Sequence, residues 1–128
     1  MKTNLCILLF VIASLFTTAQ AQNNDDCSIV KNGKFKYLDI EDTTAYFTIE
    51  NNKHQEFHKS NAYYIKSDLK WVGDCQYTMK MKECTIPDFP YKAGDVMKVT
   101  INKIEGNIIY YTSEVKGVSW NGRLLKIE

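Results

Sequence analysis

The pattern His54-x-Glu56-x-His58 places both histidines of the chain and one carboxylate at alternate positions. On an extended strand, alternate side chains project from one face about 7 Å apart. A histidine pair at that spacing can grip one metal ion, with Glu56 as a third ligand or as a base. Neighbouring strands would have to supply a fourth ligand. The competing reading is the solvated face of an edge strand, because Phe57 is the only apolar residue in 53–59 and would point inward.

Other reactive groups carry less. Cys84 could be activated by a histidine and Ser60 lies near His58, but no G-x-S-x-G elbow accompanies either. Ser60-Asn61 reads more simply as a turn. The carboxylate pairs Glu41-Asp42 and Asp25-Asp26 sit in polar loop segments, where they offer no acid/base couple. Phosphate-loop, dinucleotide and calcium-loop motifs are all absent from the sequence. The chain leans away from catalysis, and no cofactor is expected.

Aromatic and sulfur residues suggest a different use. Tyr63-Tyr64 and Tyr110-Tyr111 form doublets in which, on a strand, one ring faces in and the other out. Outward tyrosines suit protein or carbohydrate recognition, and they are equally good sheet formers. Trp71 and Trp120 read as core residues. If the fold leaves a cavity, they would line it with Tyr77, Met79 and Met81, forming an apolar ligand pocket.

These residues must be positioned by strands. Turn signals fall at Asn32-Gly33, Asn51-Asn52, Glu105-Gly106-Asn107 and Asn121-Gly122, and the Asn-Gly pairs suit two-residue hairpins. Between them lie runs rich in β-branched and aromatic residues at 28–31, 34–39, 44–50, 53–59, 62–71, 74–83, 96–104, 108–115, 118–120 and 123–127. Alternation puts Trp71, Gly73, Cys75, Tyr77, Met79 and Met81 on one buried face. Met97, Val99 and Ile101 repeat the pattern, as do Ala45, Phe47 and Ile49. Residues 86–94 could hold one turn of helix. The expected fold is all-β, an antiparallel meander of about eight to nine short strands. Closure or partial closure into a small barrel, lipocalin-like by analogy, would remove two exposed edges.

Residues 1–21 read as a cleaved signal peptide: Lys2, an apolar run over 5–16, and Ala19-Gln20-Ala21 as a small-x-small site. The run is too short to span a bilayer, which needs roughly 20 residues. Residues 22–128 then form a single β-domain, secreted or periplasmic, with no stable membrane insertion. Losing Lys2 reduces 16 basic residues to 15 against 15 acidic ones, so no field favours nucleic acid. Losing Cys6 leaves Cys27, Cys75 and Cys84, an odd number. Strand parity places Cys75 inward and Cys84 outward. That favours a Cys27–Cys75 bridge with Cys84 free, and Cys27–Cys84 stands as the rival.

The runs Cys27-Ser28-Ile29-Val30-Lys31-Asn32-Gly33-Lys34-Phe35-Lys36-Tyr37 and Lys70-Trp71-Val72-Gly73-Asp74-Cys75-Gln76-Tyr77 resemble a group of small exported, uncharacterised proteins of Bacteroidota-type bacteria. The resemblance implies one small β-domain with a cysteine near each motif, in agreement with Cys27–Cys75. It implies no activity, cofactor or catalytic residue. The leading expectation is therefore a non-enzymatic exported binding module for a small apolar ligand or another protein. A metal-binding protein or metal-dependent enzyme built on His54, Glu56 and His58 is one alternative. A structural or inhibitor-type envelope protein is the other.

Overall fold

Alternating apolar and polar residues, punctuated by turns with positive φ, build eight strands in a computed structural model that describes residues 26–128. They are β1 (Gly33–Tyr37), β2 (Tyr46–Glu50), β3 (Lys53–His58), β4 (Tyr63–Gly73), β5 (Gln76–Cys84), β6 (Val96–Glu105), β7 (Ile108–Val115) and β8 (Val118–Lys126). Each pairs antiparallel with the next, and β1 pairs with β8 to close a barrel. The expected all-β meander and its closure are thus present. The leader read at 1–21 lies outside the described residues.

The turns follow backbone chemistry. Asn51 and Asn52, at φ 49° and 59°, join β2 to β3, and Gly106, at φ 61°, lies between β6 and β7. Between β7 and β8 the chain turns at Lys116 and Gly117, with φ 48° and 78°. Positive φ at both central residues matches the twist of the flanking strands.

Asn121-Gly122 is not a turn, contrary to expectation. It lies within β8, where Gly122 pairs with Tyr111 of β7. A β-carbon on Gly122 would stand 2.5 Å from the Tyr111 hydroxyl oxygen and 2.6 Å from its Cζ. The glycine makes room for an inward ring rather than for a bend.

Residues 28–31 also depart from expectation, forming no strand and no hairpin across Asn32-Gly33. Cys27–Val30 is a 3-10 helix, capped by the Asp26 side chain, which accepts from the Ser28 N–H at 3.0 Å. This helix closes one end of the barrel, with Val30 fully buried and Cys27 only 3 % exposed. No helix forms over 86–94 either, where the chain is a succession of turns.

Cys27 and Cys75 form a disulfide with Cα atoms 5.4 Å apart, and Cys84 is free. The bridge fastens the plugging helix to the β4–β5 turn. By the chain-entropy model such a loop is worth about 4 kcal/mol. A disulfide also accords with an oxidising compartment. Among the described residues no helix is long and apolar enough to cross a membrane. The parity used to place Cys84 needs correction. A bulge between the pairs Lys66–Glu83 and Ser67–Met81 shifts the register, so Cys84 lies opposite inward-facing Ile65 rather than on the outer face.

The core at the plugged end is built from Phe35, Phe47, Ile49, Leu69, Ile101 and Ile109, each at most 5 % exposed. Phe35 stacks on Phe47 with ring centroids 5.0 Å apart. Because Gly122 has room for nothing but the Tyr111 ring, Gly122→Ala should destabilise the protein by about 1–3 kcal/mol through overpacking. In a Tyr111→Leu background the same change should cost less. Denaturant unfolding of the four combinations measures the difference, and an equal cost in both backgrounds contradicts the packing account.

Candidate functional site

Above the packed core the barrel interior is not filled. A cavity of about 290 Å³ lies there, lined by inward residues of the strands and by the loops at 38–45 and 85–95. Ile40 and Trp120 line it and are 40 % and 37 % exposed, which marks this end as its mouth. Much of the wall is apolar: Met79, Met81, Met97, Val99, Val115 and Leu124 all contribute. Both faces of the alternation matter here, since inward side chains have nowhere else to go in a closed barrel.

β3 supplies the polar corner. His54, Glu56 and His58 all line the cavity, so the strand faces opposite to the expected way. It is not an edge strand, being paired with β2 and β4. Phe57 points outward and stacks on Tyr46, with centroids 5.0 Å apart. His54 is 2 % exposed and lies against the Phe47 ring at 4.5 Å. Its Nδ1 has no hydrogen-bond partner. Burial pushes its pKa down, with the Glu56 charge opposing.

Glu56 and His58 form a directed pair. His58 Nε2 is 2.6 Å from Glu56 Oε1, and its Nδ1 is 3.7 Å from Asp42 Oδ2. The hydrogen bond to Glu56 raises the His58 pKa, opposed mainly by burial. Asp42 is anchored by the Thr44 hydroxyl and by the Lys59 N–H, at 2.5 Å and 2.7 Å. The Thr44 hydrogen bond, then the Lys59 N–H, hold its carboxyl down at about 2. The Asp42 loop is thereby attached to the end of β3 at the cavity mouth.

Three tyrosines complete the corner. Burial, followed by the nearby Glu56 charge, pushes the Tyr37 pKa well up. Burial, then the neighbouring Tyr111, raises Tyr77. Tyr111 is pushed up to about 12, chiefly by burial and then by Glu56. These groups stay protonated at neutral pH and act as donors or acceptors, not bases.

Of the pocket residues read from sequence, Tyr77, Met79, Met81 and Trp120 line the cavity. Trp120 does so from the exposed rim, not from the core. Trp71 is not among the lining residues. It pairs with Tyr77, the rings 5.0 Å apart, and packs against the core cluster instead. Sequence reading missed Tyr37, Tyr111, Ser113 and Met97. Tyr37 shares parity with buried Phe35, and Tyr111 with buried Ile109, so alternation alone could have found both. His54, Glu56 and His58 share one wall, but among the described residues no group of three or more histidine, cysteine or acidic side chains is arranged to hold a metal ion. Cys84 is partly exposed near the same end.

Comparison with protein-family models, with curated proteins and with solved structures returns no match. The cavity and its polar corner therefore carry the functional argument by themselves.

The His58 pKa is raised in the folded state, so its stabilisation is complete below the ordinary value of 6.5 and is lost as pH rises through the folded value. His58→Gln should lower stability most at acid pH, by about 1 kcal/mol after allowance for partial exposure. His54 titrates the same way in both proteins and cancels from the difference. Melting at about pH 5.5 and pH 8.5 checks this; an equal deficit at both values contradicts the ion pair.

Proposed function

We propose that this protein is a binding module which takes up one small, largely apolar molecule inside its barrel. The observation that carries the reading is the cavity of about 290 Å³, open at one end and closed at the other by the disulfide-tethered helix. That volume lies just below the usual range for ligand sites, about 300–1,000 Å³, and suits a small ligand. Predominantly apolar walls with a few convergent polar groups are the usual composition of such sites.

The remaining features fit a carrier better than an enzyme. Tyr37, Tyr77 and Tyr111 are held protonated. His58 is engaged with Glu56. With the leader read at 1–21, the protein is exported to the periplasm or the medium, and the Cys27–Cys75 bridge suits that setting. Membership of the uncharacterised exported group that the Cys27 and Trp71 motifs resemble belongs to this same proposal. A lipocalin-like role follows by analogy of architecture alone.

The neutral probe 3-phenylpropan-1-ol tests the cavity. At a concentration 100 times its dissociation constant, a ligand that binds only the folded state adds about 2.7 kcal/mol, which is a melting shift of many degrees for a domain of this size. Wild-type protein should show that saturable rise. Ser113 is a small, buried residue of the wall, so Ser113→Leu should fold yet lose at least tenfold in affinity. No saturable rise in the wild-type protein overturns the reading.

A further inference from the structure

The lining of the cavity is unbalanced in charge. Glu56 and Asp95 are on it, Asp42 stands directly behind His58, and no lysine or arginine is among the lining residues. Asp95 is already committed to Lys116, 3.1 Å away, and to the Lys92 N–H at 2.9 Å. Arg123 is turned outward onto Asp39, at 2.7 Å. The basic side chains on the wall are His54, whose charge burial disfavours, and His58, already engaged with Glu56, so a ligand carboxylate here would be buried without a free cation to pair with and near a carboxylate of the protein. Such burial is strongly unfavourable.

A ligand cation meets the opposite situation. Glu56 lies near Tyr37 and is paired with His58 through Oε1. A carboxylate offers about four lone-pair sites, so acceptor capacity remains. The electron-rich faces of Tyr37, Tyr77 and Tyr111 can attract an ammonium group by cation–π interaction. His54 adds an independent observation. It is 2 % exposed, lines the cavity, and its Nδ1 has no partner in the protein. An unpartnered buried ring nitrogen costs free energy until something satisfies it, and a turn of the His54 ring toward the cavity would let a ligand N–H do so if His54 carries its own proton on Nε2.

We propose that the cavity takes a small amphipathic amine, with its protonated nitrogen at Glu56 and His54 beside the three tyrosine rings and its apolar body among Met79, Met81 and Met97. This rests on the reading of the barrel as a ligand carrier. Charge selects the class: apolar amines are admitted, fatty-acid-like anions refused. Trp120 and Ile40 at the rim meet the ligand as it enters.

Three probes of one shape and different charge provide the test: 3-phenylpropylamine, 3-phenylpropan-1-ol and 3-phenylpropanoate, titrated calorimetrically into wild-type protein at about pH 8, where the amine is still protonated. The expected order is amine, alcohol, carboxylate, with the amine at least tenfold tighter than the alcohol. Glu56→Gln, checked for folding by its melting transition, should lose the preference for the amine over the alcohol. Alcohol binding equal to or tighter than amine binding overturns the amine assignment and leaves the carrier reading standing. Failure of all three probes to bind overturns both. An amine preference that survives in folded Glu56→Gln overturns the role of Glu56. The wild-type order stands as a test even if that variant does not fold.

Discussion

Three residue pairs, Phe35 with Lys126, Lys36 with Leu125 and Tyr37 with Leu124, close β1 onto β8 and turn a meander into a barrel. Without them the molecule would have two unpaired strand edges, each a template for association. With them, every alternate side chain is committed to an interior of fixed width. An eight-stranded barrel is just wide enough to be filled by side chains or to hold one small ligand. Closure thus fixes both the stability of the fold and the space available for binding.

The interior is divided between those two outcomes. At the plugged end, Phe35, Phe47, Ile49 and Ile109 fill it, and Cys27 and Val30 seal it. Toward the mouth the walls carry Ser67, Ser113 and flexible methionines, which do not meet across the centre. β3 brings His54, Glu56 and His58 inward in place of apolar residues. A polar inner face weakens a core unless its groups are satisfied. Here Glu56, His58 and Asp42 form one connected chain, and His54 Nδ1 is left without a partner. Departures from the local packing rule concentrate at functional sites, and β3 is where this chain departs from it.

Much of the fold could be read from the sequence because period-two alternation is a local signal. Met97, Val99 and Ile101 on β6, and Phe47 and Ile49 on β2, needed no tertiary information to be placed inward. The failures have identifiable physical causes. Gly122 was mistaken for a turn because its purpose, space for Tyr111, depends on a residue in another strand. Cys84 was assigned the wrong face because the register shift between the Lys66 and Ser67 pairs inverts parity, and a bulge leaves no mark in composition. Polarity on β3 suggests exposure, yet His54, Glu56 and His58 face the cavity. The histidine–glutamate pattern was visible, but its direction was not, since only barrel closure makes a polar face an inside one.

The three methionines of the described residues, Met79, Met81 and Met97, all lie on the cavity wall, which makes their methyl groups direct reporters of its contents. The decisive measurement is a methionine-methyl NMR titration of the wild-type protein with 3-phenylpropylamine. The account predicts three signals that shift together and saturate at one equivalent. Signals that stay in place while the amine binds elsewhere, or that do not saturate, would contradict a ligand held inside the barrel.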